Sequence, residues 1–176
     1  MITREFLLAG KAKFTLTNPT KLSIMFAVKL IPASEQYPRT TYFAYYYPDP
    51  DNQRKRCYIG IVDAATGRVI LTRKSVFKDS YPAWKRAKEK GKVPDKPHPV
   101  AVLEWALRKA WANEPFPDGY QFIPSGNCAR CGHKLKDEES LDPRLRSGIG
   151  PECYQMIFGR RKPAKPSSEV GNEQPG

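Results

Sequence analysis

Histidine is nearly missing from this chain: His98 and His133 are the only two among 176 residues. That leaves little from which to build a hydrolytic centre based on imidazoles. Long apolar runs are missing too. Nothing approaches the roughly 20 residues of a membrane span, and the apolar part of the opening MITREFLLAG is too short for a secretory signal. Acidic residues are outnumbered, with 18 Asp and Glu against 30 Lys and Arg, a formal net charge of +12. A balance of that sign favours acidic partners such as nucleic acid, an anionic membrane surface or an acidic protein. Cysteine is limited to Cys57, Cys128, Cys131 and Cys153. With no export signal, these are expected as thiols or thiolates in a reducing cytoplasm rather than as disulfides. No internal repeat is present.

What the chain does have is enough apolar and aromatic content, 40% and 11%, for one core of ordinary size with a small appendage. KAKFTLT (11–17) alternates Ala12, Phe14 and Leu16 with polar residues, the period of a half-buried strand. NPTK turns the chain into KLSIMFAVKLI (21–31), too apolar to alternate and so expected at the centre of a sheet. TYFAYYY (41–47) has the aromatic content strands prefer. CYIGIV and GRVILT then read as a hairpin around DAATG. These segments predict an antiparallel meander of about five strands.

Two helices are expected next. DSYPAWKRAKEKGK begins at an N-cap in Asp79 or Ser80 and ends at Gly91, with Phe77, Tyr81 and Trp84 on one side and Lys85, Arg86, Lys88 and Lys90 facing water. HPVAVLEWALRKAW places Pro99 in a first turn, lines up Val100, Leu103, Leu107 and Trp111, and sets Glu104 four residues before Arg108. The predicted class is α+β, divided into a basic domain over 1–120, a zinc-binding module over 121–159 and a disordered tail over 160–176.

The module rests on GNCARCGHKL (126–135). A C-x2-C pair lets two thiolates reach one tetrahedral ion, and Gly132 accepts the backbone conformation that turns amide N–H groups back toward sulfur. Cys153 lies 22 residues beyond Cys131, in SGIGPECYQMI, where Pro151 opens a short helix. A cysteine at a helix start is favoured as a thiolate, and the arrangement resembles half a treble clef. His133 is the expected fourth ligand, with Cys57, His98, Asp137 and Glu152 as alternatives. A catalytic zinc needs an open position and a general base, often in an H-x-E pattern, which this sequence does not contain. The expected ion is therefore structural Zn²⁺.

These residues also carry a resemblance. CARCGHKLKDEESL…GIGPEC is similar to C-x-x-C-G-R-x-L-x-x-x-x-S-I…G-I-G-P-x-C, the C-terminal signature of an uncharacterised family of small bacteriophage and actinobacterial proteins. FLLAGKAKFTLTN resembles the family's opening FxLAGxAxFTLxS, DPDNQRKRCYIG its GPDNxxxYxYIG segment, and RKS at 73–75 also fits, so the likeness covers most of residues 5–158 unevenly. His133 stands where the family has Arg, the stretch from Ser140 to Gly148 is about four residues longer, and Pro124 replaces a His many members carry. The resemblance implies a phage or prophage origin and a zinc-binding C-terminus.

Charge is unevenly spread. Residues 128–153 hold five basic and five acidic residues, whereas 72–96 hold nine basic against three acidic. Arg54, Lys55, Arg56, Arg73, Lys74, Lys85, Arg86 and Lys88 are the expected nucleic-acid contacts, through phosphates and without sequence reading. The tyrosine-rich strand reads first as core on one side and an amphipathic surface on the other, with base stacking on one face as the alternative. The expected function is a non-catalytic, zinc-stabilised, nucleic-acid-binding accessory protein acting in the host-cell cytoplasm, with DNA or RNA as partner. The alternative is a phage protein that docks on an acidic host-protein surface. An enzymatic reading would need a metal-dependent nuclease built on acids such as Asp49, Asp51 and Asp63, and no spacing supports it.

Overall fold

The computed structural model describes residues 2–49, 52, 54–92, 96–135 and 148–158. The tail expected at 160–176, Asp51, the basic run at 160–162 and the charged residues 136–146 all lie outside them. Within the described residues the architecture is α+β: one antiparallel sheet with helices on one face and a cysteine cluster near the C-terminus.

The strands are β1 (Lys11–Thr17), β2 (Ser23–Ile31), β3 (Thr41–Tyr47), β4 (Cys57–Val62), β5 (Val69–Ile70) and β6 (Gln121–Pro124), in the spatial order β5-β4-β3-β2-β1-β6. The first five form the expected meander. The sixth returns after the helices to pair with β1, Phe14 opposite Pro124 and Leu16 opposite Phe122. It lies in the stretch assigned to the zinc module, so the sheet crosses the expected boundary at residue 121.

Alternation along β1 decides which face is buried. Ala12, Phe14 and Leu16 turn inward, and register carries the inward face across the sheet, from Phe14 to Phe26 to Tyr46 and from Ala12 to Val28 to Ala44. Three helices cover that face. The first, α1 (Arg4–Leu7), was not expected from sequence; Thr3 caps it, its side chain accepting from the Phe6 N–H, and Phe6 and Leu7 are buried. The second, α2 (Ser80–Glu89), follows the expected bounds and buries Tyr81. The third, α3 (Pro99–Trp111), buries Val100, Leu103, Ala106, Leu107 and Ala110. His98 is its N-cap, Nδ1 accepting from the Val100 N–H, and burial among Phe77, Tyr81 and Trp84 lowers its pKa. Glu104, expected to pair with Arg108, instead accepts the Tyr81 hydroxyl and lies 3.7 Å from Lys85 Nζ, tying α3 to α2.

The last helix, α4 (Pro151–Phe158), carries Cys153. Cys128, Ala129, Leu135, Ile149 and Cys153 join the same buried cluster as Ile2, Phe6 and Phe14. Gly148, at φ +59, sits so close to the Phe6 ring that a Cβ would collide with it. The cysteine segment is packed onto the sheet's core and shares its apolar contacts.

Leu103 is fully buried at the helix–sheet contact. Leu103→Ala is expected to lower the unfolding free energy by about 2–5 kcal/mol, read as a lower denaturation midpoint with an unchanged slope against denaturant.

Candidate functional sites: a cysteine centre and an open sheet face

The chain from Gly126 to Leu135 is a tight hairpin. The Leu135 N–H donates to Gly126 O, the Cys128 N–H to His133 O at 2.8 Å and the Gly132 N–H to Cys128 O at 2.9 Å, with Gly132 at φ +84. Two further bonds fix it to the start of β1, from the Lys11 N–H to Ala129 O and from Lys11 Nζ to Cys131 O at 2.9 Å. On the other side the Ala129 N–H reaches Gly148 O at 2.8 Å, bringing 148–158 alongside.

This folding gathers Cys128, Cys131 and Cys153, whose sulfurs all lie within 4.8 Å of one another. An ion with bonds of about 2.3 Å to sulfur would set its ligands about 3.8 Å apart in a tetrahedron, so the group is dimensioned to hold one. Burial raises the Cys128 thiol, but N–H donors from Cys131, Gly150 and Arg130 outweigh it and bring the pKa down to about 7. One of these, the Gly150 N–H, donates to Cys128 Sγ at 3.3 Å. Cys153 is pushed up to about 12, by burial first and then by hydrogen bonding to the other two sulfurs. The pocket thus favours one thiolate readily, and full deprotonation calls for a cation at the centre.

Other expected ligands fall elsewhere. His133 is exposed and its ring does not join the sulfurs; its part in the hairpin is the backbone carbonyl that receives the Cys128 N–H. Cys57 lies on β4 opposite Tyr46, and His98 caps α3. Glu152 is exposed outside the group, and Asp137 lies outside the described residues.

The expected phosphate contacts do not form one surface. Lys85 and Lys88 are on α2, on the covered side of the sheet, resting over the rings of Tyr81 and Trp84. Arg86 is exposed on the same helix, and Arg73 and Lys74 are exposed in the turn after β5. Arg54, Lys55 and Arg56 precede β4, and Arg56 reaches the opposite side, its guanidinium 4.7 Å from the centre of the Tyr45 ring.

That opposite side is where the structure concentrates aromatic and basic groups. Three cross-strand rows run over it: Thr15, Met25 and Tyr47; Lys13, Ala27, Tyr45 and Tyr58; Lys11, Lys29, Phe43, Ile61 and Ile70. Phe43 packs edgewise on Tyr37 at 5.2 Å and tilts against Tyr58 at 5.3 Å, and Tyr58 lies 5.8 Å from Tyr45. Lys29 Nζ is 5.9 Å from the Tyr45 ring and Lys13 Nζ 4.8 Å from that of Tyr47. Burial, then the charges of Arg56 and Lys11, lowers the pKa of Lys29; burial, then Lys29, lowers that of Lys13. Like charges have been brought together on a ring-paved face, with α1, α2 and α3 all packed on the other side. Lys13, Lys29, Tyr37 and Tyr58 were not among the expected contacts. For the two lysines the sequence signal was the alternation itself, which sets them opposite Ala12, Phe14 and Val28.

No protein-family model, curated protein or solved structure matches this chain. Among the described residues, no helix is long and apolar enough to cross a membrane.

The metal group has a direct test. Elemental analysis of Cys153→Ser should show loss of bound metal, while His133→Ala should keep the wild-type metal content. Metal loss from His133→Ala would return that imidazole to the ligand set.

Proposed function

We propose that this chain is a zinc-braced, non-catalytic protein that binds single-stranded nucleic acid on the open face of its sheet. The observation that carries the reading is the second row, in which Tyr45 and Tyr58 lie side by side with Lys29 and Arg56 over the Tyr45 ring. Unpaired bases expose flat faces that stack on such rings, worth roughly 1–3 kcal/mol per base. A cation resting on a ring at an exposed site gains about 0.5–1 kcal/mol. A base can therefore displace it, and the displaced cation becomes available to the neighbouring phosphate. A duplex keeps its base faces stacked on one another and leaves the rings unused, so single strands are favoured.

Zinc suits the cysteine group because clustered thiolate ligands favour that ion among the common divalent metals, with the three sulfurs supplying three of its ligands. Its place is structural: it would join the hairpin at Cys128 and Cys131 to α4 at Cys153, beside a core that the sheet already supplies. Lys11 links the two parts, lying in the third row of the open face and donating to Cys131 O. The likeness of the C-terminal signature to phage and actinobacterial proteins favours a phage or prophage origin and, with it, action within the host cytoplasm.

Fluorescence anisotropy with labelled single strands and duplexes of DNA and RNA, at 50 and 200 mM salt, tests the reading. Three phosphate contacts on a single strand correspond to a slope of about −2 in log affinity against log salt, or about a 20-fold loss over that range. Tyr45→Ala should weaken single-strand binding by about 5- to 150-fold, and Lys29→Gln should flatten the slope by about 0.7. Duplex binding equal to or tighter than single-strand binding, or no binding at low salt, would remove this function.

A further inference from the structure

The covered side of the sheet holds a second basic and aromatic feature, separate from the open face. A cavity of about 1150 Å³ opens between the β1–β2 turn and helices α2 and α3. Its lining includes the indoles of Trp84 and Trp105, the phenol ring of Tyr120, and the cations Lys88, Arg68 and Arg108. Trp105 is held in place, stacked on Phe116 at 4.9 Å and 24° and tilted against Tyr120 at 5.0 Å. Trp84 stacks on Tyr81 at 6.0 Å and 22°. The rings are therefore braced before any ligand arrives, which lowers the ordering cost of binding.

Charge in the cavity leans positive. Two carboxylates line it, Glu89 and Glu104. Glu104 is already engaged, accepting the Tyr81 hydroxyl and standing 3.7 Å from Lys85 Nζ. Lys88, Arg68 and Arg108 then face only Glu89 among the acids of the lining. Small-molecule sites are commonly about 300–1000 Å³ with mostly apolar and aromatic walls and a few placed polar groups, and this cavity, at about 1150 Å³, is somewhat larger than that. A purely apolar ligand would cover the indoles and strip water from the cations without replacing it. A bare inorganic anion would meet the cations and leave the indoles uncovered. A planar ring joined to an anionic group satisfies both.

We propose that this cavity binds a nucleotide, its base against the indoles of Trp84 and Trp105 and its phosphates on Lys88 and the neighbouring arginines. The inference does not depend on strand binding at the open face, since it uses other residues on the other side of the sheet. A free nucleotide and the phosphorylated end of a strand present the same chemistry, and competition separates them.

The test is isothermal titration of the full chain with ATP, adenosine and inorganic tripolyphosphate, followed in parallel by indole fluorescence. ATP should bind with a Kd below about 1 mM and quench emission, while adenosine and tripolyphosphate each bind at least about tenfold more weakly. Lys88→Gln, a change on an exposed side chain, should weaken ATP binding by about tenfold, and Trp105→Ala by a similar factor. Tyr45→Ala, on the opposite face, should leave ATP binding unchanged, so failure here and failure of strand binding are read independently. Displacement of ATP by a 5′-phosphorylated strand identifies a strand end as ligand, and undisturbed ATP binding identifies the free nucleotide; either sustains the site. No heat or quenching with ATP, tripolyphosphate binding as tight as ATP, or full affinity in Lys88→Gln overturns it.

Discussion

Everything in this molecule is tied to the alternation of one strand. β1 turns Ala12, Phe14 and Leu16 into the core and Lys11, Lys13 and Thr15 away from it, because successive side chains of a strand point to opposite faces. It also joins distant parts of the chain. It pairs with β2 on one side and β6 on the other, and its first residue accepts no substitute for position, since the Lys11 N–H and Nζ both bond the cysteine hairpin. A one-residue slip of β1 would turn Phe14 outward, move the basic row off the open face and pull the hairpin out of register with 148–150. Core, basic face and cysteine centre thus share one constraint.

How much of this could be read from sequence follows from where each signal resides. β1, β3 and β4 were legible to the residue because alternation and aromatic content are local properties. β6 was not, because QFIP offers only four residues with one buried side chain, Phe122, and becomes a strand through pairing with β1. The same holds for β5, which pairs over Val69 and Ile70 alone although GRVILT reads as a longer strand. REFL is likewise too short to announce α1; its mark was the Thr3 cap. The three cysteines were legible because spacing and the Gly-Ile-Gly-Pro bend are local. His133 was misleading for a physical reason. Nearness in sequence placed its backbone carbonyl in the hairpin, where it meets the Cys128 N–H, and that position leaves the ring outside.

The basic residues needed three dimensions. Counting along the chain grouped Lys85, Arg86 and Lys88 with Arg54, Lys55 and Arg56, but the sheet lies between Arg56 and the α2 cations. Core-facing Tyr46 touches Phe77, which leads into α2, while its neighbour Tyr45 lies under Arg56 on the other face. The excess charge is divided between two surfaces of different shape. One is a flat row of rings with cations above it; the other is a concave site with cations around braced indoles.

That division has a physical consequence for specificity. A flat face offers little steric selection, so it would accept any chain of stacked bases and phosphates, with affinity governed by ring contacts and salt. A cavity selects by volume and by the match between an apolar surface and an anionic group. The cysteine group bears on the first more than on the second. Cys131 O receives Lys11 Nζ and Ala129 O receives the Lys11 N–H, so the hairpin positions one end of the row holding Lys29 and Phe43. The cavity draws its lining from α2, α3, the far end of β1 with the turn into β2, Gly67 and Arg68 between β4 and β5, and Tyr120 after α3, none of which belongs to the cysteine hairpin. A change in the cysteine segment on taking up a metal would therefore reach the open face through Lys11 rather than through the cavity's walls. The two surfaces are held by one core but braced by different means.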